Sequence, residues 1–191
     1  MHIGLFFGSF NPVHIGHLAI ANYMANFTEM NQVWLMVSPH NPLKNKNQLL
    51  NQNDRLHLVN IALDFCPTIK ASNFEFNLPQ PSYTINTLVK LKEKYPEHTF
   101  SLIMGQDNLM TFSKWKNYEE ILKSYHIFIY PRPHCKETEF DNHPHIHFTE
   151  SPIMDISSTF IRKAIKEKKD IRFFLHPKVW EEIDNMNFYR K

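Results

Sequence analysis

Short continuous apolar runs alternate along the chain with stretches whose apolar residues recur every three or four positions. The runs read as buried strands: His2 to Phe7, Val33 to Val37, Ile69 to Ser72, Phe100 to Met104 and Ile127 to Tyr130, with a weaker one at His145 to Phe148. The spaced stretches read as helices. One spans His14 to Phe27 through Ile15, Leu18, Ala21, Met24 and Ala25, and another runs through Leu56, Val59 and Leu63. Ser82 is the expected N-cap of a helix carrying Ile85, Leu88, Leu91 and Tyr95, stopped by Pro96. Further helices are expected at Tyr118 to Lys123 and Ser157 to Lys169, with Pro177 opening the last. Gly8 to Pro12, GSFNP, has strong turn chemistry, and Pro39 to Asn51 reads as a polar loop.

Strands alternating with helices through short connections predict an α/β fold with a doubly wound parallel sheet, Rossmann-like in its organisation. In such sheets ligands sit beyond the carboxyl ends of the strands. The GSFNP loop follows the first strand and Gly105 follows a later one, so both are candidates for one crevice. No repeat, low-complexity segment or linker divides the chain. A single domain over 1–191 is expected, with the helices from about 157 packed onto it.

Composition narrows the function. The 191 residues are 42% hydrophobic and 21% charged, as in ordinary globular proteins. A net charge of +2 argues against a nucleic-acid coat, although basic residues gather from Arg162 to Lys169. Those from Lys163 onward are most simply a solvated helix face. Two cysteines are too few for a disulfide framework and fit reduced thiols in a cytoplasm. The start MHIGLFFGSF lacks a basic n-region, so no signal peptide is expected, and no apolar run approaches the roughly 20 residues of a membrane span. Glycine is the anomaly. Average usage of about 7% predicts roughly 13 in such a chain, against four here, three of them within the first sixteen residues. A chain so sparing of glycine is expected to keep it where backbone turns sharply or nears a ligand, which points to the first loop.

The first loop contains the strongest chemistry: Gly8-Ser9-Phe10-Asn11-Pro12-Val13-His14-Ile15-Gly16-His17. Two histidines three apart at a helix start share a face, beside unpaired amides that favour anions. Gly16 between them would let a ligand lie close to the backbone. An isolated pair would more simply be a capped helix with two surface histidines. After a strand and a glycine turn, it reads as a phosphate site. Near the other end stands Ile156-Ser157-Ser158-Thr159-Phe160-Ile161-Arg162. Three hydroxyls can merely cap a helix, but Arg162 falls four residues after Ser158 and three after Thr159. Its guanidinium returns to the same end and makes a second polyphosphate cradle. The alternating His143, His145 and His147 tempt a metal reading, with His134 and Cys135 nearby, yet offer no dependable four-ligand spacing. No metal site is expected in the protein itself.

Together these motifs resemble the nucleotidyltransferase superfamily that pairs HxGH with ISSTxxR. The chain is most similar to the bacterial nicotinate-nucleotide adenylyltransferases. Matching middle segments are Ser82-Tyr83-Thr84 followed by Asn86-Thr87-Leu88, Met104-Gly105-Gln106-Asp107-Asn108, and Phe112 to Leu122 with Trp115 and Lys116. The resemblance implies that Tyr83, Thr84, Trp115 and Lys116 bind the mononucleotide, Thr84 and Trp115 framing the ring and amides near Thr84 and Lys116 reaching its carboxylate. Gly105, Asp107 and Arg132 match positions on the ATP side, which also takes Gly8, Ser9, Phe10, Gly16, Ile156, Ser158 and Thr159. A tryptophan is as readily core as ligand platform, but the polar neighbours of Trp115 suggest a loop. The chain departs from the family with Phe7 in place of a second loop glycine, Asn11 for Asp, and Leu43 for the His before Lys44. The GSFNP form also occurs in relatives that use nicotinamide mononucleotide, so the amide stays open at this point.

The implied reaction joins the adenylyl group of ATP to nicotinate mononucleotide, a step of NAD biosynthesis. The attacking phosphate is already an anion, so neither a general base nor an enzyme nucleophile is required. His17 is assigned to the α-phosphate and transition state, and His14, Lys44 and Arg162 to the polyphosphate, with Mg²⁺ carried in on ATP. Ser158 and Thr159 would hold the far phosphates. Expected partners are these two nucleotides, with neither nucleic acid nor membrane, and a homo-oligomer stays open. Phosphopantetheine adenylyltransferases and cytidylyltransferases share the end motifs but not the Tyr83-Thr84 and Trp115-Lys116 segments. Class I aminoacyl-tRNA synthetases share only the HIGH string, without a convincing KMSKS loop or room for tRNA-binding domains. A nucleotide sensor without turnover is the reading from another class.

Overall fold

The computed structural model describes residues 1–39 and 49–190. Six strands form one sheet: β1 (His2–Gly8), β2 (Gln32–Val37), β3 (Ile69–Ser72), β4 (Thr99–Gly105), β5 (Ile127–Tyr130) and β6 (Ile146–Phe148). Their spatial order is β3-β2-β1-β4-β5-β6, and every pairing is parallel. Parallel neighbours need crossovers, and these carry the helices α1 (Ile15–Phe27), α2 (Gln52–Leu63), α3 (Thr84–Lys94), α4 (Gln106–Leu109) and α5 (Tyr118–Ser124). After β6 come α6 (Ser158–Lys166) and α7 (Pro177–Asn185). Strand order reverses between β1 and β4, so the crevice of this doubly wound sheet opens beyond Gly8 and Gly105.

The continuous apolar runs are explained by burial on both faces. Alternate residues of each inner strand enter two separate cores. Phe6, Val33, Leu35, Ile103 and Phe128 pack with Ile20 and Met24 of α1, Leu58 and Val59 of α2, Ile161 and Ile165 of α6, and Val179 and Ile183 of α7. Ile3, Leu5, Met36, Leu102 and Ile127 pack on the other face with Leu88 and Leu91 of α3 and Ile121 of α5. Each such side chain contributes about 1.5–3 kcal/mol by leaving water, so the two cores fix the strand ends from which the site is built.

Three expectations are corrected. Helix α3 starts at Thr84 with Tyr83 as its cap, not Ser82. The Ser82 hydroxyl instead bonds the buried Glu75 carboxyl, and the cap position makes no side-chain hydrogen bond. Helix α6 ends at Lys166, with Lys168 in the left-handed region, so Lys168 and Lys169 lie beyond it. The glycines are not turning points, for none has positive φ. A Cβ on Gly4 would run into Met30 and Ile103, and one on Gly8 would stand 2.8 Å from the Phe10 ring. Glycine here makes room for the chain's own side chains.

The histidines of the β5–β6 edge bond one another and the backbone. His126 Nδ1 and His147 Nε2 are 2.7 Å apart, and His145 Nδ1 lies 2.7 Å from the Leu122 carbonyl. Lys163 is exposed and faces Glu167 one turn on, at 3.8 Å.

Candidate active site

Between β1 and α1 the chain turns at Phe10, the loop residue with φ +43°. Its ring is buried, edge-on to Phe6 at 5.9 Å and to His17 at 5.0 Å between centroids. A left-handed non-glycine residue costs of the order of 1–2 kcal/mol, and this apolar seat holds it there. The side chain of Phe10 thus belongs to the core.

His14 caps α1 and His17 closes its first turn. The two rings stack at 3.6 Å with 24° between planes. His17 Nδ1 accepts a hydrogen bond from the His14 backbone N–H at 3.3 Å, which puts the His17 proton on Nε2 as a donor. His14 is 3% exposed. Burial, aided by the charge of Arg132, lowers its pKa to about 3. The ring is therefore a neutral imidazole at neutral pH. It sits in the α1 capping box against the His17 backbone N–H, and its buried Nδ1 makes no hydrogen bond of full geometry among the described residues. A Cβ on Gly16 would stand 3.1 Å from that ring and 3.6 Å from the Ile156 side chain. The missing Cβ of Gly16 leaves space for His14 and Ile156.

The start of α6 is joined directly to this loop. Ser157 caps the helix by accepting from the Phe160 N–H at 3.2 Å. The Ser158 hydroxyl donates to the Pro12 carbonyl at 2.9 Å. Arg162, whose pKa burial lowers, donates through one terminal nitrogen to the Asn11 carbonyl at 2.8 Å and through the other to the Thr159 hydroxyl at 3.4 Å. The two end motifs, some 146 residues apart, therefore form one wall. Within it the Ser158 hydroxyl proton is already committed to Pro12.

Beyond β4, Gly105 caps α4, and a Cβ there would collide with the Asp107 carboxylate and stand 3.0 Å from the Tyr130 ring. Arg132 lies 3.8 Å from Asp107, covers the Tyr130 ring at 5.3 Å and donates to the Met154 carbonyl at 2.9 Å. Tyr130 in turn meets Phe6, which meets His17, at 5.7 and 6.0 Å. The middle segments also converge. Lys116 Nζ sits 4.5 Å over the Tyr83 ring, and half-buried Trp115 packs edge-on to Phe112 at 5.5 Å. Thr84 is the first residue of α3, where helical N–H groups lack intrahelical acceptors. Lys44, His40 and Leu43 lie outside the described residues.

Three residues absent from the motif reading organise these parts. Arg55 of α2, wholly buried, donates to the carbonyls of Ser9 at 2.6 Å, Ser38 at 2.8 Å, Pro39 at 2.9 Å and Leu50 at 2.9 Å. Burial lowers its pKa to about 10, so it stays cationic. A charged residue on the otherwise apolar Arg55, Leu58, Val59, Ala62 face was the available signal. Glu75 is 3% exposed and accepts from the Thr87 hydroxyl at 2.7 Å, with Ser38 and Ser82 also bonding it. Burial raises its pKa despite those hydroxyls. Tyr189 donates to the Asn11 side chain at 2.9 Å. Nothing local in the sequence marks either of these two.

On this doubly wound parallel sheet the model of the cytidylyltransferase-like family matches residues 5–164, which places the chain among the nucleotidyltransferases. The chain is 55% identical over its whole length to the "Probable nicotinate-nucleotide adenylyltransferase" of Flavobacterium psychrophilum, itself fully covered. It is 51% identical to the protein of that name from Bacteroides fragilis, over 94% of this chain and 90% of the other. The solved structure of Plasmodium falciparum nicotinic acid mononucleotide adenylyltransferase complexed with NaAD superimposes with a TM-score of 0.83. It shares 21% identity across 98% of this chain and 97% of that one, a likeness of fold. The chain belongs to the nicotinate-nucleotide adenylyltransferases of the cytidylyltransferase-like family.

Proposed function

We propose that the protein transfers the adenylyl group of ATP to nicotinate mononucleotide, giving nicotinate adenine dinucleotide and pyrophosphate. The observation that carries this is the single wall formed by the stacked His14–His17 pair and the Ser158–Arg162 helix start. The full-length likeness to proteins named for this reaction supports it.

In the reaction a phosphate oxygen of the mononucleotide forms a bond to the α-phosphorus of ATP while the bond to pyrophosphate breaks. No proton need be removed from the nucleophile. The protein's work is alignment and the stabilisation of charge moving onto pyrophosphate. His17 would give its Nε2 hydrogen to the α-phosphate, and neutral His14 would bind polyphosphate through its ring. Arg162 and Lys44 would supply positive charge, with the first amides of α1 and α6 as further donors. Mg²⁺ would arrive on ATP and offset phosphate charge, taking its ligands from phosphates and water. Among the described residues no three His, Cys, Asp or Glu stand together as candidate metal ligands. No helix among those residues is long and apolar enough to cross a membrane.

Purified protein, ATP, Mg²⁺ and nicotinate mononucleotide should yield the dinucleotide and pyrophosphate in equal amounts. His17→Ala should fold normally and lose turnover by about two orders of magnitude or more, the scale of one preorganised charge-stabilising donor. Binding of both nucleotides without product would leave a sensor, and near-normal turnover in the variant would remove the phosphate role of His17.

A further inference from the structure

Asn11 is the point at which three distant stretches of chain meet. Its side-chain oxygen accepts the Tyr189 hydroxyl at 2.9 Å and the Leu50 backbone N–H at 3.2 Å. Its backbone carbonyl accepts Arg162 at 2.8 Å, and the next carbonyl, that of Pro12, accepts Ser158 at 2.9 Å. The residue is 5% exposed, so a change in its orientation cannot be absorbed by water. Whatever fixes the Asn11 side chain also fixes the carbonyl on which the guanidinium rests.

Tyr189 comes from the segment after α7, 178 positions along the chain from Asn11. Burial raises the pKa of its phenol, which keeps the hydroxyl protonated and able to donate at any physiological pH. The positive charges of Arg162 and Arg55 pull that pKa the other way, which places the phenol close to both guanidinium groups. Tyr189 therefore stands beside the phosphate end of the site and bonds its loop at Asn11.

We propose that Tyr189 is a positioning residue for ATP: its hydroxyl fixes Asn11, and Asn11 holds Arg162 where the polyphosphate will lie. This rests on the proposed adenylyl transfer, but its central readout is ATP binding, which does not require turnover. Without the hydroxyl, Asn11 loses one of the bonds that set the angle of its side chain. Arg162 then samples positions in which it no longer meets the phosphates. Among the described residues Tyr189 makes no hydrogen bond to α3 or to the Trp115–Lys116 turn, on which the mononucleotide side is built.

Tyr189→Phe keeps the ring and removes only the oxygen. Calorimetric titration should show ATP binding weakened about three- to tenfold, the range spanned by one neutral hydrogen bond. KM for ATP should rise by a similar factor while KM for nicotinate mononucleotide and kcat stay within about twofold. Because Tyr189 acts through Asn11, Asn11→Ala should weaken ATP binding by itself, and adding Tyr189→Phe should change it no further. Unchanged ATP binding, equal losses for both nucleotides, or additive effects in the double variant would each overturn the proposal. Normal ATP binding with no dinucleotide formed by the unaltered protein would instead count against the adenylyl-transfer reading, and the ATP titrations would still decide the role of Tyr189.

Discussion

His14 is held neutral by its surroundings, and this ties the chemistry of the site to the stability of the fold. In the unfolded chain a histidine titrates near 6.5, whereas here burial and Arg132 bring the value to about 3. Between those values the unfolded state binds the extra proton. Stability is then fully present above about pH 6.5 and is lost as pH falls toward 3, by up to about 1.4 kcal/mol per pH unit from this group. His2 and His147 are also lowered by burial and act in the same sense, so the parent slope alone does not isolate His14. His14→Gln, with no titration in this range, should flatten the slope of unfolding free energy between pH 6.5 and 5 by about one proton's worth. Urea denaturation at four or five pH values measures it. An unchanged slope would mean that His14 is not buried as a neutral ring.

The proposed recognition lies at the helix starts, and these were unequally legible in the sequence. Those of α1 and α6 could be read from motif spacing, since two histidines three apart and an Arg four after Ser158 must share a face of a helix. That of α3 was placed one residue early because a serine before an apolar period is the usual cap. The fold gives Ser82 to Glu75 instead, a contact with a residue seven positions upstream that no local pattern announces. The correction matters for substrate choice. Glu75 puts a carboxyl beneath the start of α3, but it is already engaged by the hydroxyls of Thr87, Ser38 and Ser82. The Thr84 and Ile85 amides of the first turn of α3 lack intrahelical acceptors, and Lys116 lies over the Tyr83 ring, a set of donors suited to a carboxylate. An amide group there would turn its NH₂ toward donors, at roughly 1–3 kcal/mol for an unpaired buried group. The kcat/KM for nicotinate mononucleotide should accordingly exceed that for nicotinamide mononucleotide by about tenfold to a hundredfold at fixed ATP. Equal values would show that these donors do not meet the ring substituent.

At the scale of the molecule, the sheet and its two cores were readable because apolar runs and helical spacing are local patterns. The cross-links that turn strand ends into a site were not, because they join residues far apart in sequence. Arg55 is the largest of these. Its guanidinium takes the carbonyls of Ser9 from the first loop, Ser38 and Pro39 from the end of β2, and Leu50, so one buried cation sets the spacing of three chain segments. Lysine could keep the charge but offers three donors from a single point where Arg55 spreads its planar fork over four acceptors. Arg55→Lys should leave at least one buried carbonyl unpaired and cost about 2–4 kcal/mol of stability. Because Ser9 and Asn11 share the phosphate loop, ATP should also lose some of its grip. Saturating ATP at about a hundred times its parent Kd should raise the unfolding free energy of the parent by about 2.7 kcal/mol, and that of the variant by clearly less. Denaturation curves with and without ATP test both halves at once. A variant within about 0.5 kcal/mol of the parent would show that the four carbonyls find other partners. One destabilised yet equally protected by ATP would show that the clamp serves the fold without shaping the site.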